Sequence, residues 1–158
     1  MDILDDEMLR LWRSLDQNKV RYIMVGGFAT NLHGFSRTTA DLDLWIDDNE
    51  ENRQNLIEAL SAVGLSKLES LIDTQLIPGW TTIKLASGFE LDIMTSLKGF
   101  DSNDFNDCFK VAAEAEIHDI TIRFLHLNHL IKSKEATNRP KDQLDLIELK
   151  KIRNQSTQ

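Results

Sequence analysis

Cysteine occurs once in this chain of 158 residues, tyrosine once and proline twice. A lone Cys108 excludes an internal disulfide, so a hydrophobic core must hold the fold and a reducing, cytoplasmic setting is the expectation. No catalytic motif surrounds that cysteine, which reads as a small, half-buried apolar residue. No apolar run approaches the roughly 18 residues that a membrane-spanning helix needs, so no membrane partner is expected. The first residues, Met1-Asp-Ile-Leu-Asp-Asp-Glu-Met8, lack the basic-then-apolar order of a signal peptide. His118, His126 and His129 lack the spacing of a zinc site. Internal repeats and low-complexity linkers are missing as well.

Positive charge is also scarce. The formal net charge is −8, from 18 Lys/Arg against 26 Asp/Glu. Residues 1–125 carry 11 basic and 22 acidic side chains, and residues 126–158 carry 7 and 4. An acidic body argues against non-specific binding of nucleic acid. The basic C-terminal segment leaves room for a polyanionic substrate held locally, through metal ions and a few lysines.

With 41% hydrophobic and 28% charged residues, the composition is that of a globular domain. The expectation is a single domain over residues 1–153 with a frayed tail at 154–158. Helical spacing of Ile3, Leu4, Met8, Leu11, Trp12 and Leu15 predicts an amphipathic helix over 3–17. Val20–Val25 reads as a short buried strand, and Phe28–Leu32 as a helical turn or two. Ala40–Ile46 alternates as a strand, with Asp41, Asp43 and Trp45 on one face. A capped helix follows to about Val63, where Gly64 stops it. Residues 65–79 stay ambiguous. Two strands, 80–86 and 89–94, flank Ser87-Gly88, and the second carries Asp92 on its polar face. Residues 98–107 read as loop with caps for a short helix. Residues 113–117 and 120–124 fit a hairpin around His118-Asp119, or an alanine-rich helix before it. Two helices close the chain, about 126–135 and 140–152, the second opened by Pro140.

The chemistry centres on residues 22–46. Asp-x-Asp on a strand projects two carboxylates from one face, where they repel unless a cation lies between them. Alone, the pair also fits a solvated strand face. Asp92, on the polar face of a second strand, makes a third carboxylate available, and three such groups suit paired Mg²⁺ or Mn²⁺ ions. Gly26-Gly27, between a strand and a helix, lets backbone N–H groups face an anion, or simply makes a tight turn. Neither a Walker loop nor a dinucleotide fingerprint is present.

Gly-Gly followed by Asp-x-Asp after 13 residues, in Val25-Gly-Gly-Phe-Ala-Thr-Asn-Leu-His-Gly-Phe-Ser-Arg-Thr-Thr-Ala-Asp-Leu-Asp43, resembles the signature of the nucleotidyltransferase superfamily related to DNA polymerase beta. The form is similar to a small bacterial branch with antibiotic-modifying and abortive-infection-toxin-like members. A second stretch, Leu130-Ile-Lys-Ser-Lys134 with Asn138-Arg-Pro-Lys-Asp-Gln-Leu-Asp-Leu146, resembles that branch's C-terminal pattern.

The resemblance implies an α/β (α+β) fold, a small mixed sheet with helices mainly on one side. It implies Asp41, Asp43 and Asp92 as metal ligands and catalytic carboxylates, with Asp92 helping to deprotonate an acceptor hydroxyl. Gly26 and Gly27 would hold the phosphates of a nucleoside triphosphate such as ATP. Arg37 would touch phosphate or pair with an active-site carboxylate. Lys134 and Lys141 would stabilise the triphosphate, although Lys141 and Asp145 also suit a helical i, i+4 pair. His33 reads as structural. Trp45 would line a base pocket or fill space under the sheet. The hydroxyl acceptor (small molecule, RNA or protein) is open, as are a two-metal phosphatase or nuclease and a non-catalytic relic. Larger relatives carry an acceptor-binding domain missing here, so residues 65–79, the 98–110 loop, a homodimer partner or another protein would supply that recognition.

Overall fold

The computed structural model describes residues 4–65 and 80–157. The undecided stretch 65–79 lies, from residue 66 on, outside the described residues.

The chain begins with α1 (Asp6–Gln17), whose first turn is capped by the Asp5 carboxylate accepting from the Met8 amide at 2.9 Å. Its apolar stripe, Met8, Leu11, Trp12 and Leu15, is fully buried. Strand β1 (Tyr22–Val25) runs straight into α2 (Gly26–Leu32), and β2 (Asp41–Ile46) precedes α3 (Glu50–Ala62). Asn49 caps α3 by accepting from the Asn52 amide at 2.8 Å. The buried Asn52 side chain in turn accepts from the Arg21 amide and donates to the carbonyls of Arg21 and Asp47. That amide fastens the start of β1 and the end of β2 to the helix.

Strands β3 (Trp80–Lys84) and β4 (Glu90–Met94) form a hairpin, and a 3₁₀ turn at Ser102–Asp104 leads into α4 (Phe105–Lys110). Cys108 on α4 is fully buried rather than half-buried. Strands β5 (Ala113–Ile117) and β6 (Ile120–Phe124) make the hairpin predicted around His118-Asp119, not the alternative helix. Both turn residues have positive φ, 47° and 63°, as a two-residue turn matching strand twist requires. Helices α5 (Leu127–Thr137) and α6 (Pro140–Ser156) meet at Asn138, whose left-handed φ of 49° ends α5. Helix α6 extends past residue 153, into the stretch expected to fray.

The six strands order as β3-β4-β2-β1-β6-β5. Pairing is antiparallel between β1 and β2, and parallel between β2 and β4 and between β1 and β6. This is the small mixed α/β sheet implied by the sequence. Register puts Val25 opposite Asp43, Asp43 opposite Asp92, and Asp92 opposite Thr82, so one row crosses four strands. On the reverse face Trp12 of α1 stacks on Tyr22, with ring centroids 5.9 Å apart. Ser14 of α1 donates to the Ala59 carbonyl at 2.7 Å, joining α1 to α3 across that layer. The carboxylate face is closed at one end by Trp45, which packs edge-on against Phe105 and donates to the Thr95 carbonyl. Trp45 therefore fills space under the sheet and does not line a base pocket.

Candidate active site

Alternation along β2 and β4 and their parallel pairing bring Asp41, Asp43 and Asp92 together. Each offers an oxygen within 4.8 Å of the others'. Asp92 is 4% exposed, and its Oδ1 accepts a 2.5 Å hydrogen bond from the Thr82 hydroxyl of β3. Asp41 accepts from Thr39 Oγ1 at 3.3 Å. Among the described residues no cationic side chain pairs with any of the three. Burial, and then the charges of Asp41 and Asp92, push the Asp43 carboxyl up to about 7, against the weaker pull of Lys141 and Arg139. A crowded set of carboxylates without a counter-charge fits a hard divalent cation, which oxygen ligands of this kind prefer.

The glycines stand directly beside this cluster. Gly26 has φ +68°, and a Cβ there would overlap the Asp43 carboxylate. A Cβ on Gly27 would come within 2.5 Å of Thr39 Oγ1. Both positions exclude a side chain, one by backbone conformation and contact, the other by contact alone. They bring the β1–α2 turn against the row of aspartates.

A cleft of about 700 Å³ opens beside Asp41 and Asp43. Gly26, Gly27, Asp41 and Asp43 line it, and so do Arg37, Lys134, Arg139 and Lys141. The basic residues differ sharply in what they touch. Lys134, 4% exposed, donates to Asp145 Oδ2 at 2.7 Å and lies 3.7 Å from Asp142. Arg37 grips the same Asp145 with two nitrogens, Nε to Oδ1 at 2.8 Å and Nη2 to Oδ2 at 3.0 Å. The carboxylate that Arg37 pairs with thus belongs to α6, not to the aspartate cluster. Asn31 aims Arg37 by accepting from its amide (3.0 Å) and donating to its carbonyl (2.9 Å).

Asp142 caps α6. It accepts from the Arg139 amide, the Arg139 guanidinium and the Thr137 hydroxyl. Burial alone would raise its carboxyl, but these hydrogen bonds hold it down at about 2. Lys141 makes no ion pair among the described residues, and the i, i+4 pair with Asp145 does not form because Arg37 and Lys134 occupy Asp145. His33 is structural in geometry, its Nε2 lying 2.7 Å from the Leu125 carbonyl, and burial holds its pKa down.

Sequence reasoning did not single out Thr82, Thr39, Asn31 or Arg139 as site residues. Thr82 and Trp80 alternate on β3, but only the register with β4 shows that they share the face of Asp92. Asn31 and Arg139 lie inside the two motif stretches, so their positions were visible while their partners were not.

A sequence model of the family described as "Nucleotidyltransferase of unknown function (DUF6036)" matches residues 1–156. No curated protein matches the sequence. The fold is similar to the crystal structure of the lincosamide antibiotic adenylyltransferase LnuA with lincomycin bound, at a TM-score of 0.62 and 18% identity. That match covers 96% of this chain and 99% of the other. It is also similar to an antigenic nucleotidyltransferase-like protein from Paracoccidioides brasiliensis, at a TM-score of 0.54 and 16% identity, over 90% of this chain and 74% of the other.

Proposed function

Because the chain belongs to this family of nucleotidyltransferases of unknown function, we propose that it transfers a nucleoside monophosphate from a nucleoside triphosphate to a hydroxyl acceptor, releasing pyrophosphate. The observation that carries the reading is the meeting of Asp41, Asp43 and Asp92 within 4.8 Å, with Asp41 and Asp43 lining a cleft that also has a cationic wall.

Asp41, Asp43 and Asp92 would hold Mg²⁺ or Mn²⁺, which when bound neutralises charge on the phosphoryl oxygens of the transition state. The Gly26-Gly27 turn, which lines the cleft and packs against Asp43 and Thr39 because neither position carries a Cβ, would offer its backbone to the phosphate chain. Lys141, which faces the cleft and makes no ion pair among the described residues, is the cation most available to the triphosphate. Arg139 also faces the cleft while anchored through Asp142. Lys134 and Arg37, both committed to Asp145, present a fixed positive edge rather than mobile ligands. Asp92, oriented by the Thr82 hydroxyl, would draw the proton from the incoming hydroxyl. Positioning and charge neutralisation carry phosphoryl-type transfers, so this set of residues is sufficient in kind.

The deciding experiment supplies each α-labelled nucleoside triphosphate with Mg²⁺ or Mn²⁺ and offers small-molecule, RNA and protein acceptors. Label transfer with pyrophosphate release supports the reading. Release of orthophosphate or cleavage of nucleic acid supports a two-metal hydrolase. Nucleotide binding without turnover on any acceptor supports a non-catalytic relic.

A further inference from the structure

We propose that Trp80 is the platform on which the acceptor lies, and that the acceptor is an uncharged, hydroxyl-bearing ring compound stacking an apolar face on the indole. The inference rests on the nucleotidyl-transfer reading and deepens it.

Trp80 is 57% exposed, at the start of an edge strand, and it lines the cleft. Its indole is not loose. Nε1 donates to Thr82 Oγ1 at 3.2 Å, and the same hydroxyl donates to Asp92 Oδ1 at 2.5 Å. The chain of donors runs one way, from indole to threonine to carboxylate, so the ring and the third carboxylate are oriented by one hydroxyl. Trp80 is the cross-strand partner of Met94, and Thr82 that of Asp92. The indole therefore stands one row from Asp92 on the same face, roughly 7 Å along the strand.

In-line displacement sets the direction of approach. Pyrophosphate leaves from the side of the Gly26-Gly27 turn, on β1, and the attacking oxygen must arrive from the opposite side of the carboxylates. Across the sheet that side is β4 and then β3, where Trp80 lies. The attacking hydroxyl adds to the α-phosphorus, its proton passes to Asp92, and the bond to the departing pyrophosphate breaks. The wall beside Trp80 is Met94, Ser96 and Leu97, with Lys98 its one cation among the described residues. A polynucleotide needs a run of cations along its backbone, and the described residues of this wall do not form one. An aromatic face with apolar neighbours suits a ring that is itself uncharged.

The test monitors indole emission, since Trp12 and Trp45 are fully buried and Trp80 is the accessible one. Phenyl β-glucoside serves as an uncharged ring probe, with Mg·ATP and a short oligoribonucleotide alongside. The glucoside is expected to change the emission of the wild-type protein saturably, and Trp80→Phe to lose the change in emission. In transfer assays on an uncharged ring acceptor, Trp80→Ala is expected to raise the acceptor KM at least tenfold with the triphosphate KM within twofold. Emission quenched by Mg·ATP but not by the glucoside would put the indole on the donor base and overturn the proposal. Efficient transfer to RNA, unaffected by Trp80→Ala, would also overturn it while leaving the transferase reading intact. Glucoside binding through Trp80 without nucleotide transfer to any acceptor would leave a ring-binding face but overturn its role as acceptor platform together with the transferase reading.

Discussion

Asp43 and Asp92 stand directly opposite one another on adjacent parallel strands, two carboxylates placed as cross-strand partners. Like charges in that relation destabilise a sheet. The cluster is therefore held against its own repulsion by the surrounding fold, and the expected outcomes below turn on that conflict.

Asp43→Asn removes one charge from the cluster without changing its shape. Transfer activity is expected to fall on the order of 10²–10³-fold or more, as for loss of a central electrostatic group. The metal-free variant should melt at the same temperature as the wild type or higher, because the repulsion is relieved. Normal activity in this variant, measured by label transfer, would refute the site.

The pH dependence of the metal-free protein carries the same signature. The Asp43 carboxyl titrates at about 7 in the folded chain against its ordinary 3.8. Between those values the folded chain keeps a proton that the unfolded chain has lost. The stability contributed by Asp43 is therefore full below about pH 4 and declines as pH rises towards 7. Melting curves across this range should show the decline in wild type, its loss in Asp43→Asn, and its reversal by millimolar Mg²⁺.

Asp142 works in the opposite sense. Its carboxyl is held at about 2, so its contribution is present above the ordinary 3.8 and is lost as pH falls from about 4 to 2. Asp142→Asn should flatten acid unfolding in that window and lower stability at neutral pH, because the α6 cap and the Arg139 anchor go with it.

Lys141 and Lys134 should separate cleanly. Lys141→Met is expected to raise the triphosphate KM with a stability change within about 0.5 kcal/mol, as for an exposed side chain without a partner. Asp145→Ala, which leaves Lys134 buried and Arg37 unclamped, should cost about 3–5 kcal/mol in urea unfolding. A silent Asp145→Ala would mean that the two cations find other partners.

Gly26→Ala tests the turn. A methyl group there is strained by the positive φ and meets the Asp43 carboxylate. Destabilisation of about 1–3 kcal/mol, with loss of transfer, is the expected result.

The order of elements was legible in the sequence because it depends on local periods. Helix α1 follows from its apolar stripe and β2 from two-residue alternation, while the β5–β6 hairpin was one of two readings that local pattern left open. Asp41 and Asp43 could be placed on one face for the same reason. That a cap precedes α3 and that Pro140 opens the last helix were equally visible, since helix starts are decided within a turn. Three-dimensional pairing was not. Asp145 sits four residues after Lys141, yet it is taken by Arg37 and Lys134, because burial rewards the partners whose charges would otherwise be unmatched.

The amino-acid sequence by itself determined the strand–turn–helix–strand unit, its glycines and its paired aspartates, since spacing along one strand sets which side chains share a face. Only the tertiary structure decided that Asp92 joins them, that Thr82 orients both Asp92 and Trp80, and that Lys141, unlike Lys134, faces the cleft with no ion pair among the described residues. Those relations cross strands and helices far apart in the chain. They depend on register and on which charges can be buried together, and neither is encoded in any single local period.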